Sequence, residues 1–225
     1  MSTLTFDVLS PHTPEGLTKC FHRLAELGTK GDYLEFGVYQ GHSLQHAYRE
    51  AQALGMLDMR FFAFDSFAGL PPPEGIDTSA VFPLQAGMFA CSQAQVEANL
   101  RQLGVDMSRI QLCSGLFSDT LNPATKRNLG IHQAALVLID CDLYASAKVA
   151  LDFVADLLVD GSIVIFDDWE IFGPDSGKGE QLAFQEFLHT YSSFTPEEFV
   201  SLGWHGKSFI LHQTVAPVGL IPAAT

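Results

Sequence analysis

Asp140, Asp167 and Asp168 are the residues of this chain best placed to do chemistry. Asp140 closes the apolar run Ala134-Ala135-Leu136-Val137-Leu138-Ile139, and Asp167 and Asp168 close a second run, Gly161-Ser162-Ile163-Val164-Ile165-Phe166. Residues 143–159 between them carry helical apolar spacing. Parallel strands joined through a helix put their C-terminal ends on one edge of the sheet. The three carboxylates therefore converge where open α/β sheets place their ligands. Gathered carboxylates repel and raise one another's pKa, and a hard divalent cation with oxygen ligands removes that penalty. The plainer use of such acids is to cap helix N-termini, which favour negative charge.

A second constellation lies earlier, in Glu35-Phe36-Gly37-Val38-Tyr39-Gln40-Gly41-His42-Ser43. Gly37 and Gly41 allow the backbone to approach a ligand closely, and a helix starting near His42 offers free N–H groups. The glycines are four apart and an acid precedes the first, so this is not the dinucleotide fingerprint. Glu35 suits a cationic group better than a pyrophosphate. Asp65 ends the next strand, where an acid commonly accepts bonds from ribose hydroxyls. Each signal has a plainer alternative: a tight turn with a structural glutamate, and a loop-capping aspartate. Together they favour an adenosine ligand with a cationic, amino-acid-bearing tail, which describes S-adenosylmethionine better than NAD.

The candidate cofactor contacts are thus Glu35, Gly37, Gly41 and Ser43 at the first turn and Asp65 and Ser66 at the second. Gly115 and Phe117 follow at the third, and Asp140 joins them. Phe117 either covers an adenine face or packs in the core. Trp169 either walls a substrate pocket or packs. Gly173, Gly177, Lys178, Gly179 and Glu180 read as a mobile stretch bordering the site. His42 and His205 have no Ser or Cys nucleophile at a recognisable spacing, and there is no zinc motif; a generic histidine is usually structural or exposed.

The elements that position these residues alternate. Helical spacing covers 13–28, with Leu17, Phe21, Leu24 and Leu27 on one face. Strands are expected at 33–38, 60–64 (ending at Asp65) and 110–113, then at 134–140 and 161–168. Helices are expected at 41–54, at 92–103 with Ser92 as N-cap, from about Asp119, and at 143–159 and 179–190. Residues 195–200 and 207–213 read as two closing strands without a helix between them. This is an α/β, doubly wound, mostly parallel Rossmann-like sheet with an antiparallel edge. Residues 69–91 have no clear period and contain Pro71-Pro72-Pro73, Gly75 and Gly87; a loop this long is usually functional, and a lid is the expectation. The 225 residues are read as a single domain, 1–225, with a frayed tail over 214–225.

Composition narrows the partners. A net charge of −14 argues against a nucleic-acid backbone, which needs a Lys/Arg patch. No run of apolar residues is long enough for a membrane span, and the N-terminus lacks a basic and an apolar region of secretory type. A cytoplasmic location is the expectation. Cys20, Cys91, Cys113 and Cys141 form no C-x-x-C pair and read as isolated core residues. The 18 Phe imply either an aromatic core or an apolar pocket. A homo-oligomer is compatible with the sequence, which does not determine it.

Four stretches occur in order: Leu34-Glu35-Phe36-Gly37-Val38, Phe64-Asp65-Ser66-Phe67-Ala68-Gly69-Leu70-Pro71, Asp140-Cys141-Asp142-Leu143-Tyr144-Ala145-Ser146 and Phe166-Asp167-Asp168-Trp169. Together they resemble the macrocin O-methyltransferase group of class I S-adenosylmethionine-dependent methyltransferases, from about Asp32 to Leu188. The resemblance implies methyl transfer to a sugar hydroxyl of a glycosylated natural product, with magnesium. It further implies that Asp140, Asp167 and Asp168 are metal ligands, that Asp140 is also the general base, and that Glu35, Gly37 and Asp65 hold the cofactor. The chain departs from the group in having Trp169 where Tyr is common after the Asp pair, and in a short N-terminal extension, which leaves the acceptor open. A vicinal diol of a sugar or a catechol suits the chemistry. Two rival classes stand beside it: a methyltransferase that needs no metal, and a non-catalytic S-adenosylmethionine-binding protein. A nicotinamide oxidoreductase conflicts with the glycine pattern.

Overall fold

The computed structural model describes residues 13–78, 83–173 and 177–214. The expectations for the N-terminus before Thr13, for residues 79–82 of the long loop, for 174–176 and for the tail beyond Thr214 lie outside the described residues. In chain order the elements are α1 (Thr13–Leu27), β1 (Asp32–Phe36), α2 (His42–Ala53), β2 (Phe61–Asp65), α3 (Gln93–Gln102), β3 (Ile110–Ser114) and α4 (Phe117–Thr120). They continue with α5 (Pro123–Leu129), β4 (Ala134–Ile139), α6 (Tyr144–Val154), β5 (Leu158–Phe166), α7 (Gly179–Thr190), β6 (Phe194–Leu202) and β7 (Gly206–Gln213).

The strands form one seven-stranded sheet in the order β3-β2-β1-β4-β5-β7-β6. Strands β1 to β5 are parallel, and β7 runs antiparallel to both β5 and β6. The chain winds outward from β1 to β3 and then returns to β4 on the other side of β1. The carboxyl ends of β1 and β4 therefore flank the switch point at which doubly wound sheets bind ligands. Every residue of β1 and β4 is buried, as expected for strands covered on both faces.

One face of the sheet packs on α1, α2 and α3 through Leu17, Phe21, Leu44, Val96 and Leu100. The other packs on α6 and α7 through Ala147, Leu151, Phe184 and Phe187. Aromatic residues fill this second layer: Phe36 stacks on Phe64 with ring centroids 5.1 Å apart, and Phe153 meets both edge-on. The richness in Phe thus supplies a core.

Local signals explain most boundaries. Ser92 caps α3 by accepting the Gln95 N–H, and Asn122 caps α5 through the N–H groups of Ala124 and Thr125. Pro123 sits at the first helical position of α5, and Gly130 ends that helix in the left-handed region. The helix expected from Asp119 is therefore two pieces, α4 and α5, because Asn122 and Pro123 restart it. The helix expected over 143–159 stops at Val154. Residues 158–160 belong to β5 because Gly161, at φ 80°, admits a bulge: Ala134 pairs with Leu158, but Leu136 pairs with Ile163. The Ser162 hydroxyl holds the bulge by donating to the Ala134 carbonyl and accepting the Val159 N–H.

The long loop is partly ordered by its own backbone. The Leu70 N–H donates to the Met88 carbonyl, and the Gly87 N–H donates to the Leu70 carbonyl, each at 2.9 Å. Gly75–Asp77 forms a 3-10 turn. Among the described residues no helix is long and apolar enough to cross a membrane.

Candidate active site

The first turn is built around Glu35. Tyr33 and Glu35 alternate onto the same face of β1. The Tyr33 hydroxyl donates to Glu35 at 2.5 Å, and the Ser43 hydroxyl donates to the other carboxylate oxygen at 2.8 Å. Glu35 has no exposed surface. Burial pushes its carboxyl up to about 8, against the opposing effect of the two hydroxyl bonds. No Lys or Arg among the described residues pairs with it, so a cation arriving from outside would find an unmatched acid. Ser43, taken from its position as a cofactor contact, is here the residue that orients Glu35.

Gly37 has a different reason for being glycine from the one read in the sequence. Its φ is 95°, and a Cβ there would lie 1.7 Å from the Asp140 carbonyl oxygen. The missing side chain lets the end of β1 touch the end of β4; the close approach is to the chain itself. Gly41 is the N-cap of α2 at φ 83°, with the side chains of Val96 and Leu100 closing over it.

Asp65 caps this same turn. One of its oxygens accepts the N–H groups of Val38 at 2.7 Å and Tyr39 at 3.2 Å, and the other accepts the Phe67 N–H at 2.7 Å. The loop-capping alternative is thus realised here, and Asp65 ties the ends of β1 and β2 together. Ser66 forms a local turn with Ala68 and Gly69. The Gly115 N–H donates to the Asp65 carbonyl. Phe117 meets Phe36 edge-on at 5.8 Å and joins the core, and Trp169 packs on Phe166, Phe184 and Phe209. Both aromatics pack in this way while staying partly exposed.

The second constellation is denser than the sequence indicates. Asp167, Asp168 and His205 offer ligand atoms that all lie within 4.8 Å of one another. Asp140 is not a member of that tight group, but it is electrostatically coupled to both aspartates. Burial, then Asp167, Asp168 and Asp142, hold the Asp140 carboxyl well above the usual range. Burial and Asp167 push Asp168 up to about 7. Asp167 is raised by burial, with the Thr13 hydroxyl and His205 opposing. Asp140, Asp167 and Asp168 each keep an edge open to solvent while protein surrounds the rest.

Four members of this cluster were not singled out for it in the sequence. Asp142 sits at φ 58° with its N–H on Asp168 at 3.1 Å and its own carboxyl raised by burial. Glu180, expected in a mobile stretch, is instead buried in the first turn of α7 and accepts the Asp168 N–H at 3.0 Å. Thr13 reaches from α1 to donate to Asp167 at 2.7 Å. His205 donates from Nδ1 to the Asp167 carbonyl at 2.5 Å, which orients the ring and leaves Nε2 as the nitrogen not held by that bond. The signal for His205 lay in topology. Because β7 is antiparallel to β5, with Lys207 opposite Phe166, the start of β7 lies at the edge where β5 ends.

Asp140, Asp142, Asp167, Asp168 and Glu180 form no ion pair with Lys or Arg among the described residues, and the Glu180 Oε1 atom is buried without a hydrogen-bond partner. A set of carboxyl oxygens and one imidazole, with no Lys or Arg against them, fits a hard divalent cation, whose charge would favour the carboxylates that burial disfavours.

The family model for macrocin-O-methyltransferase matches residues 12–188. A tetracenomycin-C rhamnosyl 4'-O-methyltransferase of Streptomyces olivaceus is 32% identical over 171 residues, covering 71% of this chain and 63% of that protein. Mycinamicin III 3''-O-methyltransferase of Micromonospora griseorubida is 26% identical over 163 residues, covering 68% of this chain and 61% of its own length. The matches thus span less than two thirds of these relatives. Among solved structures, the O-methyltransferase NovP superposes with a TM-score of 0.73 at 23% identity, covering 89% of this chain and 79% of that one. The calicheamicin methyltransferase CalS11 does so with a TM-score of 0.71 at 23% identity, over 88% and 77%.

Proposed function

This chain belongs to the macrocin-O-methyltransferase family, and from that premise we propose that it transfers a methyl group from S-adenosylmethionine to a hydroxyl of a sugar carried by a natural product, with Mg²⁺ at the carboxylate cluster. The observation that carries the reading is the convergence of Asp140, Asp167, Asp168 and His205 beside the Glu35 turn, at the switch point of the sheet.

Glu35, Gly37 and Asp65 form the methyl-donor side. Glu35 meets the donor's ammonium group; its burial makes an unpaired charge unfavourable and a paired one favourable. Ser43 and Tyr33 hold that carboxylate in place. Asp65 holds the glycine turn closed and keeps the helix N–H groups of α2 facing the donor. Asp140, Asp167 and Asp168, with His205, would hold the divalent cation, which when bound supplies positive charge where an alkoxide develops. Asp140 takes the acceptor's proton as the carboxylate, the form that a cation beside it would favour. Asp140 and Glu35 flank the contact between β1 and β4 made at Gly37, so the two substrates are brought to one point, and positioning carries much of the rate.

The test is a turnover assay of the full chain with S-adenosylmethionine, Mg²⁺ and a panel of rhamnosides and catechols, read by mass spectrometry. The reading expects a product one methyl heavier from a glycoside and loss of turnover with chelator. Binding of S-adenosylhomocysteine without turnover across the panel would favour a non-catalytic role.

A further inference from the structure

The family reading leaves one surface feature unexplained. Trp204 is the most exposed large apolar side chain among the described residues, at 71%, and it stands on the turn between β6 and β7. Left in water, so large an aromatic face is an unusual use of a tryptophan, a residue that is highly buried on average. The face lines a cleft of about 400 Å³ with Glu170, Ser201, Lys207 and three glycines. The cleft is shallow and open to solvent on one side, so it could hold one face of a ligand.

The cleft adjoins the carboxylate cluster and is tied to it. The Trp204 and His205 rings meet edge-on with centroids 4.9 Å apart. His205 binds the Asp167 carbonyl through Nδ1, and the Glu170 N–H donates to the His205 carbonyl at 2.7 Å. Lys207 pairs with Phe166 across β7 and β5. The turn bearing Trp204 is therefore clamped to the segment that carries Asp167 and Asp168.

We propose that this cleft is the sugar subsite of the acceptor, with one face of a pyranose ring stacked on Trp204 and its hydroxyl rim met by Glu170, Ser201 and Lys207. A pyranose has an apolar C–H face and polar edges. The cleft offers a flat electron-rich surface bordered by an acceptor, a hydroxyl and a cation, which is the complementary pattern. Lys207 is already engaged by Glu198, and Glu170 brings its own negative charge, so the cleft does not suit a phosphate. A ring stacked on Trp204 would lie beside His205, whose own ring meets Trp204 at 4.9 Å. The inference rests on the methyltransferase reading for the reaction, but the binding site can be tested without turnover.

Trp169 and Trp204 are the only tryptophans, so a Trp169→Phe variant makes Trp204 the sole indole reporter. Titrating it with methyl α-L-rhamnopyranoside, in the presence of S-adenosylhomocysteine and Mg²⁺, should change its emission saturably, while glycerol should not. With an accepted glycoside, Trp204→Ala should raise KM about tenfold, the effect of losing roughly one ring contact. It should leave kcat within a few-fold and S-adenosylhomocysteine affinity unchanged, and Trp204→Phe should recover most of the loss. A flat fluorescence titration, or a Trp204→Ala variant that still binds S-adenosylhomocysteine and keeps its KM within twofold, overturns the subsite. If the wild type methylates no glycoside, the sugar-methylation reading falls, and the Trp204 titration still decides whether the cleft binds a sugar.

Discussion

The carboxylate of Asp77 accepts the backbone N–H of Tyr144 at 2.6 Å, closing the N-terminus of α6 from a loop 67 positions earlier in the chain. Its other oxygen takes the Ala145 N–H at 3.2 Å, and Asp77 is buried. The residue that follows Asp142 and Leu143 is thus held by the loop expected to act as a lid. The position of the loop and the geometry of the Asp140–Asp142 turn are mechanically linked.

Asp77→Ala should cost about 0.5–2 kcal/mol, the scale of a lost N-cap, and should lower kcat because the turn at Asp140 loosens. Asp77→Asn keeps an acceptor and should recover most of both. Urea denaturation and steady-state kinetics read the two effects. Faster amide exchange at Tyr144 and Ala145 in the Ala variant would tie them to the cap, and unchanged exchange would break the link.

Glu35 should make donor binding depend on pH. Its carboxyl is raised from 4.5 to about 8 in the fold, so it is largely neutral at pH 7. A cationic ligand favours the carboxylate, so binding below about pH 8 releases a proton, and affinity rises with pH up to that value. Calorimetry in buffers of different ionisation enthalpy measures the release. Glu35→Gln should weaken binding and abolish the proton release. The same shift makes folding retain a proton between 4.5 and about 8, so this group's contribution to stability is present below that window and is lost as pH rises through it. A wild-type proton release equal to that of Glu35→Gln would remove Glu35 from the donor site.

Asp140→Asn should fold and bind S-adenosylhomocysteine normally, yet lose about 10²-fold or more in turnover, the usual range for a general base. Asparagine carries neither the charge nor the proton-accepting oxygen. Near wild-type activity in this variant, together with an enzyme indifferent to chelator, would sink the metal-and-base mechanism.

His205→Ala should raise the Mg²⁺ concentration needed for half-maximal activity by about 10–100-fold, the range seen when a group that holds or orients a metal site is removed. Thermal stability without metal should change far less. Activity plotted against Mg²⁺ decides it, and an unchanged midpoint would show that His205 only braces the Asp167 backbone.

Gly37→Ala should be destabilising by about 1–3 kcal/mol or more, because the new methyl group collides with the backbone at Asp140 and cannot be relieved by a rotamer change. Denaturant midpoints measure this directly. A midpoint equal to wild type would mean that β1 and β4 are not in the contact seen here.

Much of the fold was legible because it is written in local terms. Unbroken apolar runs ending in Asp65, Asp140 and Asp167-Asp168 mark strands buried on both faces, and the helices between them make those strands parallel. Ser92 states the start of α3 through a short-range bond, whereas the break that Asn122 and Pro123 make between α4 and α5 went unread. The end of α6 was not legible, since Leu157 and Leu158 continue a helical apolar pattern and only the pairing of Leu158 with Ala134 draws them into β5. Asp65 and Trp169 carried two readings each; the structure shows the capping by Asp65 and the packing of Trp169, which do not by themselves exclude a role at the site.

The sequence by itself determined the alternation of strands and helices and the edge at which its acids gather, because periodicity and strand-to-helix order act over a few residues; the family was legible in four short motifs. The tertiary structure alone decided which groups complete the site. Thr13, Asp77 and His205 reach it from 154, 67 and 38 positions away from their partners. No local pattern encodes such contacts; they exist because the parallel sheet, its antiparallel edge and the folded loop bring distant backbone to one place, where buried carboxylates need every donor within reach.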